Sequence, residues 1–351
     1  MDAQPSDRKV QQTLEARRLA EIARAAGLGD SPDVALEGHR QAIALLGGDQ
    51  PTPLLADVLR WQGSVLLERG RLSDAEPLFE RSLGLSEEMA YTAGIAHALN
   101  CLAGLSQRRG DLHRAASQLI RALDLAERSD ETRLVGSIEQ NLGILSDVRG
   151  DPEGAARHYL IAQRVFESAN DEQRLCWLLT NLGYLRMRQE RYDEAEDIYS
   201  RALSIARARG DLMSEGTIEE NRGEGRLIRG QIDDAYDPIR RAFDIAELRR
   251  DDGRLAAALK LRGAYERLVG RVNSAVETLR HALTLSTLGE DALLGAEVLY
   301  QFGLALYDAG DSKMAQEVWR AALEAFERIA AVDWVARVRE VLTKGSSGRY
   351  F

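Results

Sequence analysis

Small residues return every forty positions along this chain, with no insertion or deletion over eight cycles, and this period limits the fold more than any other feature. One column reads Ala35, Ala75, Ala115, Ala155, Ala195, Ala235, Ala275 and Ala315, and another, seven residues on, reads Ala42, Ser82, Ala122, Ala162, Ala202, Ala242, Ala282 and Ala322. Twelve residues before the first column stand Ala23, Gly63, Ala103, Gly143, Gly183, Gly223, Gly263 and Gly303. A turn signal, RG, VG or AG, separates these from the alanines at Gly70, Gly110, Gly150, Gly230, Gly270 and Gly310. A bulky column follows at Phe79, Leu119, Tyr159, Tyr199, Ile239, Leu279 and Trp319.

Each cycle reads as helix, tight turn and helix. Small residues at matched places let two helices approach closely, and the bulky residue four after each alanine shares its face. The turn glycine ends the first helix. One hairpin is too small to bury its own apolar stripe, so neighbours must stack. No strand-like alternation competes with this reading. The expected fold is all-α: a right-handed superhelical solenoid of about eight helical hairpins with a C-terminal capping helix. The units are expected near 11–48, 55–88, 95–128, 135–168, 175–208, 215–248, 255–288 and 295–330, in a single domain spanning 11–344. Asp333 is placed to cap a helix over 332–344 whose Trp334, Val338, Val341 and Leu342 close the core. Residues 1–10 and 345–351 read as flexible ends. The first unit matches least well, with His39 in the bulky column.

The segment NLGYLRMRQERYDEAEDIYSRALSIA, 181–206, resembles a tetratricopeptide repeat, with Leu182, Gly183, Tyr192, Ala195, Tyr199 and Ala202 in the signature places. The resemblance recurs along nearly the whole chain. A forty-residue period exceeds the family's usual length of about thirty-four and is similar to the longer repeats of Pins-type scaffolds, kinesin light chains and bacterial Rap-type regulators. In Pins-type and kinesin-light-chain repeats, asparagine at the place matched by Asn141, Asn181 and Asn221 hydrogen-bonds the backbone of an extended peptide. Rap-type regulators carry a further helical bundle or DNA-binding module before their repeats. Here the register reaches back to Leu19 and Ala23, so the chain is expected to be repeat throughout.

Composition narrows the function. A net charge of −10 argues against nucleic acid, whose affinity comes from clustered basic residues. Lysine occurs four times among 46 basic residues, an arginine bias that suggests a GC-rich bacterial genome. Cys101 and Cys176 form neither a CxxC pair nor a disulfide framework. The N-terminus lacks an apolar signal core and no apolar run approaches the roughly 18 residues of a membrane span. A cytoplasmic protein that does not engage membranes is expected, monomeric or at most weakly self-associating.

No catalytic constellation stands out. The five histidines fall at unrelated repeat positions, with no HExxH and no His–Cys pair at metal-ligand spacing, so no metal is expected. RGEGR, 222–226, lacks GxxxxGK[ST], so no nucleotide or other cofactor is expected either. The chain is therefore read as no enzyme but as a module that binds an extended or helical segment of a partner protein. The alternative is a regulatory sensor of a small peptide or anionic ligand.

Helical spacing nominates the groove. One residue after the glycine column stand Ile144, Tyr184 and Leu304; two before it stand Asn141, Asn181 and Asn221. An amide both donates and accepts and so holds a peptide unit in any sequence context. The competing reading has these asparagines bridging adjacent hairpins or meeting water. Trp177 and Tyr300 add apolar anchors. A second candidate lies in EENRGEGRLIRG, 219–230, where the repeat exchanges apolar for charged residues. Arg186, Arg222, Arg226 and Arg262 occupy columns facing the second helix. They read either as a salt-bridged spine, with pairs Glu219–Arg222 and Arg262–Glu266, or as contacts for an anion.

Overall fold

The structure, a computed structural model, describes residues 5–28, 31–47, 51–288, 291–329 and 331–345. Among these there is no strand; all regular structure is helical. The helices are α1 (Pro5–Leu28), α2 (Pro32–Leu46), α3 (Pro53–Glu68), α4 (Leu72–Glu88), α5 (Thr92–Arg108), α6 (Leu112–Arg128), α7 (Thr132–Val148), α8 (Pro152–Ser168) and α9 (Glu172–Arg188). They continue as α10 (Tyr192–Arg209), α11 (Leu212–Ile228), α12 (Ile232–Arg249), α13 (Asp252–Leu268), α14 (Val272–Leu288), α15 (Ala292–Asp308), α16 (Ser312–Arg328) and α17 (Val332–Lys344). From the second hairpin on, each starts two or three residues before the expected unit. The expected capping helix coincides with α17. The flexible start expected over 1–10 is helical from Pro5; residues 1–4 and 346–351 lie outside the described residues.

The turn chemistry is local and repeated. Gly70, Gly110, Gly150, Gly230, Gly270 and Gly310 all sit at positive φ, between 71° and 89°, the left-handed conformation that closes a helix C-terminus. Where aspartate follows, it caps the next helix: Asp111, Asp151 and Asp311 accept from the backbone N–H three residues on, at 3.0, 2.8 and 3.0 Å. One GD dipeptide thus stops one helix and starts another, each cap adding about 1 kcal/mol.

The small columns are small because the bulky column presses on them. Every alanine of the first column is at most 3% exposed. A Cβ placed on Gly143 would lie 2.4 Å from the Tyr159 ring, and on Gly263 2.4 Å from Leu279. Ser82, the exception in the second alanine column, donates to the Ala56 carbonyl at 2.7 Å and so is satisfied. His39 replaces an apolar side chain in the bulky column and is fully buried, 6.4 Å from the Trp61 ring.

The chain divides into two compact units, Met1–Leu185 with Ala208–Asp211, and Arg186–Arg207 with Leu212–Phe351. The sequence suggested one unbroken array. The division falls inside α9, where the forty-residue register runs on unchanged.

Candidate functional site

In the first unit Asn141, Ile144, Trp177 and Asn181 are half-buried and Tyr184 is 38% exposed. Asn141 Nδ2 donates to Asn100 Oδ1 at 2.9 Å, and Gln107 Nε2 donates to the Asn141 carbonyl at 3.0 Å. This amide therefore ties α7 to α5, the bridging role. The side chain of Asn181 hydrogen-bonds no other described residue, and neither does that of Asn221 at the equivalent place in the second unit.

Two expected groove residues are not on an open face. Tyr300 is 1% and Leu304 2% exposed, both within a core cluster that includes Val338 and Val341 of α17. Tyr300 meets Trp334 edge to face at 5.4 Å. Trp334 of the terminal helix covers Tyr300, so burial against α17 overrides the repeat register there, and Leu304 is buried within the same cluster.

Three of the four nominated arginines lie in ion pairs that the register suggested or allowed. Arg222 donates to Glu196 Oε1 from Nε at 3.0 Å and again from Nη2, and from Nη1 to Glu219 Oε2 at 3.1 Å. Arg226 donates from Nη2 to the same Glu196 oxygen at 3.2 Å and from Nη1 to the Asp234 carbonyl at 2.8 Å. Arg262 bonds Glu266 at 3.1 Å. Arg186 stands apart, donating to Gln189 at 2.8 Å with Glu194 at 3.6 Å. Burial pushes the Glu196 carboxyl up, but the guanidinium groups of Arg222 and Arg226 outweigh it and hold it below its ordinary value. Glu219, 4% exposed, also receives Arg207 at 3.0 Å. The salt-bridged spine exists.

Beside it opens a cavity of about 400 Å³, walled by Met187 from the end of α9, Tyr192, Glu196 and Tyr199 of α10, Asn221, Arg222, Gly225, Arg226 and Arg229 of α11, and Asp234 of α12. One wall residue departs from the repeat. The column of Gly225 otherwise reads Val65, Leu105, Leu145, Leu185, Tyr265 and Ala305, and Leu105, Leu145 and Leu185 are each at most 3% exposed. Glycine there withdraws a core side chain, and a Cβ restored on it would touch Met187 Sδ at 3.1 Å. The cavity gathers Asn221, Arg222 and Arg226 of the nominated residues but neither Arg186 nor Arg262. It adds Arg229, whose guanidinium lies 5.4 Å over the Tyr192 ring and contacts Asp193 at 3.5 Å. The sequence reading missed Glu196, Arg229 and Gly225, although a glycine in a leucine column was legible.

A second charged group on the first helices of this unit surrounds Lys260, 7% exposed, with Glu297 at 2.5 Å and Glu224 at 3.8 Å. Burial raises the Glu297 and Glu220 carboxyls above their ordinary values. Among the described residues no trio of His, Cys, Asp or Glu is arranged to hold a metal, and no helix is long and apolar enough to cross a membrane.

The family described as tetratricopeptide repeat matches residues 174–248 and, through a second family model, residues 95–129. No curated protein sequence matches the chain. Among solved structures, the Rap conjugation gene regulator of the plasmid pLS20, solved in complex with the Phr* peptide, has a TM-score of 0.67 at 13% identity over 95% of this chain and 98% of that one. A Rap protein complexed with competence and sporulation factor scores 0.52 at 15% identity, covering 94% and 74%. Aspartyl phosphate phosphatase F from Bacillus subtilis scores 0.57 at 15% identity, covering 79% and 72%. These likenesses establish a shared fold. The last corrects the expectation that the chain is no enzyme: a phosphatase is built on this fold, so an all-helical repeat array without a familiar catalytic motif does not exclude catalysis.

Proposed function

We propose that this tetratricopeptide-repeat protein binds an extended peptide segment of a partner along the first helices of its hairpins. The observation that carries the reading is the state of the asparagine column. Asn181 in the first unit and Asn221 in the second hold the same repeat position, each partly exposed and each with an amide that bonds no other described residue. Such an amide offers one acceptor and two donors to a peptide backbone, whatever that peptide's side chains. Tyr184 and Ile144, one turn of register away, supply apolar surface beside them. The pLS20 Rap regulator, solved with its Phr* peptide, gives a precedent for a peptide on this fold in that protein.

The test is a variant with Asn141, Asn181 and Asn221 all changed to Ala, compared with wild type in capture of binding partners and in thermal unfolding. The reading expects lost binding with a cooperative unfolding transition retained. Unchanged affinity for the captured partner would reject it.

A further inference from the structure

We propose that the cavity lined by Gly225 is a ligand site for a single carboxylate carried on a small aromatic or aliphatic body. The site shares Asn221 with the peptide reading and is tested apart from it through Gly225 and Arg229, which play no part there. Three features point to this chemistry.

The first is volume. At about 400 Å³ the cavity falls within the roughly 300–1,000 Å³ that small-molecule ligands fill. On its wall glycine stands in a column that buries leucine at Leu105, Leu145 and Leu185. The second is the wall. Met187, Tyr192, Ala195 and Tyr199 present apolar and aromatic surface on one side, suited to a ring or short chain.

The third is charge. Arg222 is consumed by Glu196 and Glu219, and Arg226 by Glu196 and the Asp234 carbonyl. Arg229 is held far less firmly: among the described residues its one ion contact is at 3.5 Å, to an Asp193 side chain that is 95% exposed. A forked guanidinium in that position, backed by Tyr192, is ready to take a carboxylate through paired N–H donors. The same cavity carries Glu196 and Asp234 on its wall, so a doubly charged phosphate would meet repulsion that a single carboxylate largely avoids. A carboxylate of a free metabolite and one on an acidic residue of a peptide share this chemistry.

The experiment is isothermal titration calorimetry on the full chain with phenylacetate and 4-phenylbutyrate, against phenylacetamide and inorganic phosphate as controls. Saturable binding of the aryl carboxylates is expected, with the amide and phosphate weaker by about tenfold or more, the worth of one charge-assisted hydrogen bond. Gly225→Leu, which refills the cavity, and Arg229→Gln should each weaken the carboxylates by about tenfold or more, with cooperative unfolding retained. Should Gly225→Leu fail to fold, Arg229→Gln and Gly225→Ala carry the same comparison. No saturable carboxylate binding to wild type, equal binding of phenylacetamide, or unchanged affinity in both Gly225→Leu and Arg229→Gln would each overturn the assignment. A capped tripeptide of phenylalanine, glutamate and phenylalanine distinguishes the sources: tighter binding than phenylacetate supports a peptide carboxylate, and weaker binding supports a free acid. Because Gly225 and Arg229 lie outside the asparagine column, unchanged carboxylate affinity in their variants overturns this site alone, and unchanged partner affinity in the asparagine variant overturns the peptide reading alone.

Discussion

Asn141 and Asn100 join consecutive hairpins of the first unit through one amide hydrogen bond, Nδ2 to Oδ1 at 2.9 Å. The column Asn141 shares with Asn181 and Asn221 is therefore not uniform: one member is structural and two are uncommitted. Asn141→Ala should lower unfolding free energy by about 1 kcal/mol, the usual worth of a half-buried hydrogen bond, whereas Asn181→Ala and Asn221→Ala should stay within about 0.5 kcal/mol of wild type. Urea unfolding of the three single variants checks this ordering.

His39 predicts an acid-sensitive first unit. It is fully buried, neither ring nitrogen finds a partner, and burial pushes its pKa down to about 4. The unfolded chain binds this proton near the ordinary value of about 6.5, so it holds more protons than the folded one across the window between. Stability is therefore complete above about pH 6.5 and is lost as pH falls toward 4, by up to about 3 kcal/mol. His97, pushed down to about 3 by burial and by Arg60 and Arg174, acts in the same direction. His39→Leu, restoring the bulky column, should stabilise by about 1–3 kcal/mol and flatten this slope in urea melts between pH 4 and 7.

Glu196 predicts a salt-sensitive spine. Its one oxygen receives Arg222 and Arg226, and Glu196→Gln leaves two guanidinium groups sharing a neutral amide. Because the side chain is 36% exposed, the expected cost is modest, about 1 kcal/mol, and it should shrink in high salt. Thermal melts of wild type and variant at low and high ionic strength would show the difference closing.

Two glycines should respond oppositely to alanine. At Gly263 the new Cβ would lie 2.4 Å from Leu279 Cγ, a clash inside the core that should cost about 1–3 kcal/mol. At Gly225 the nearest atom is the flexible Met187 Sδ at 3.1 Å, so alanine should be neutral or stabilising by up to about 1 kcal/mol through helix propensity. Denaturation midpoints of the two variants decide it.

The repeat made the fold legible because packing and pattern agree: the glycine, alanine and bulky columns are each other's contacts, and the capping helix follows from its apolar face, although Asp333 does not cap it as expected: the N-cap is Ala331, with no side-chain cap, and Asp333 lies in the first turn. The spine pairs Glu219–Arg222 and Arg262–Glu266 were equally readable, since helical spacing fixes them. Other features were not readable because they arise between repeats. Tyr300 is buried against Trp334 of α17, which no repeat position announces, and Glu196 reaches Arg222 across 26 residues. The division inside α9 leaves no trace in the register. Function failed in one respect for a different reason: the absence of a catalytic motif says little on a fold that also carries a phosphatase.

The central claim, a peptide held along the asparagine column, is tested most directly by placing a photoreactive benzoyl-phenylalanine at Tyr184, which is exposed beside Asn181, and at Ile120, 66% exposed on a second helix. Irradiation in the native cell and mass spectrometry would identify what each position touches. The account predicts adducts of one partner segment at position 184, lost when Asn181 is changed to Ala, and none of that segment at 120. Adducts at 184 that survive the substitution, or the same segment captured only at 120, would contradict it.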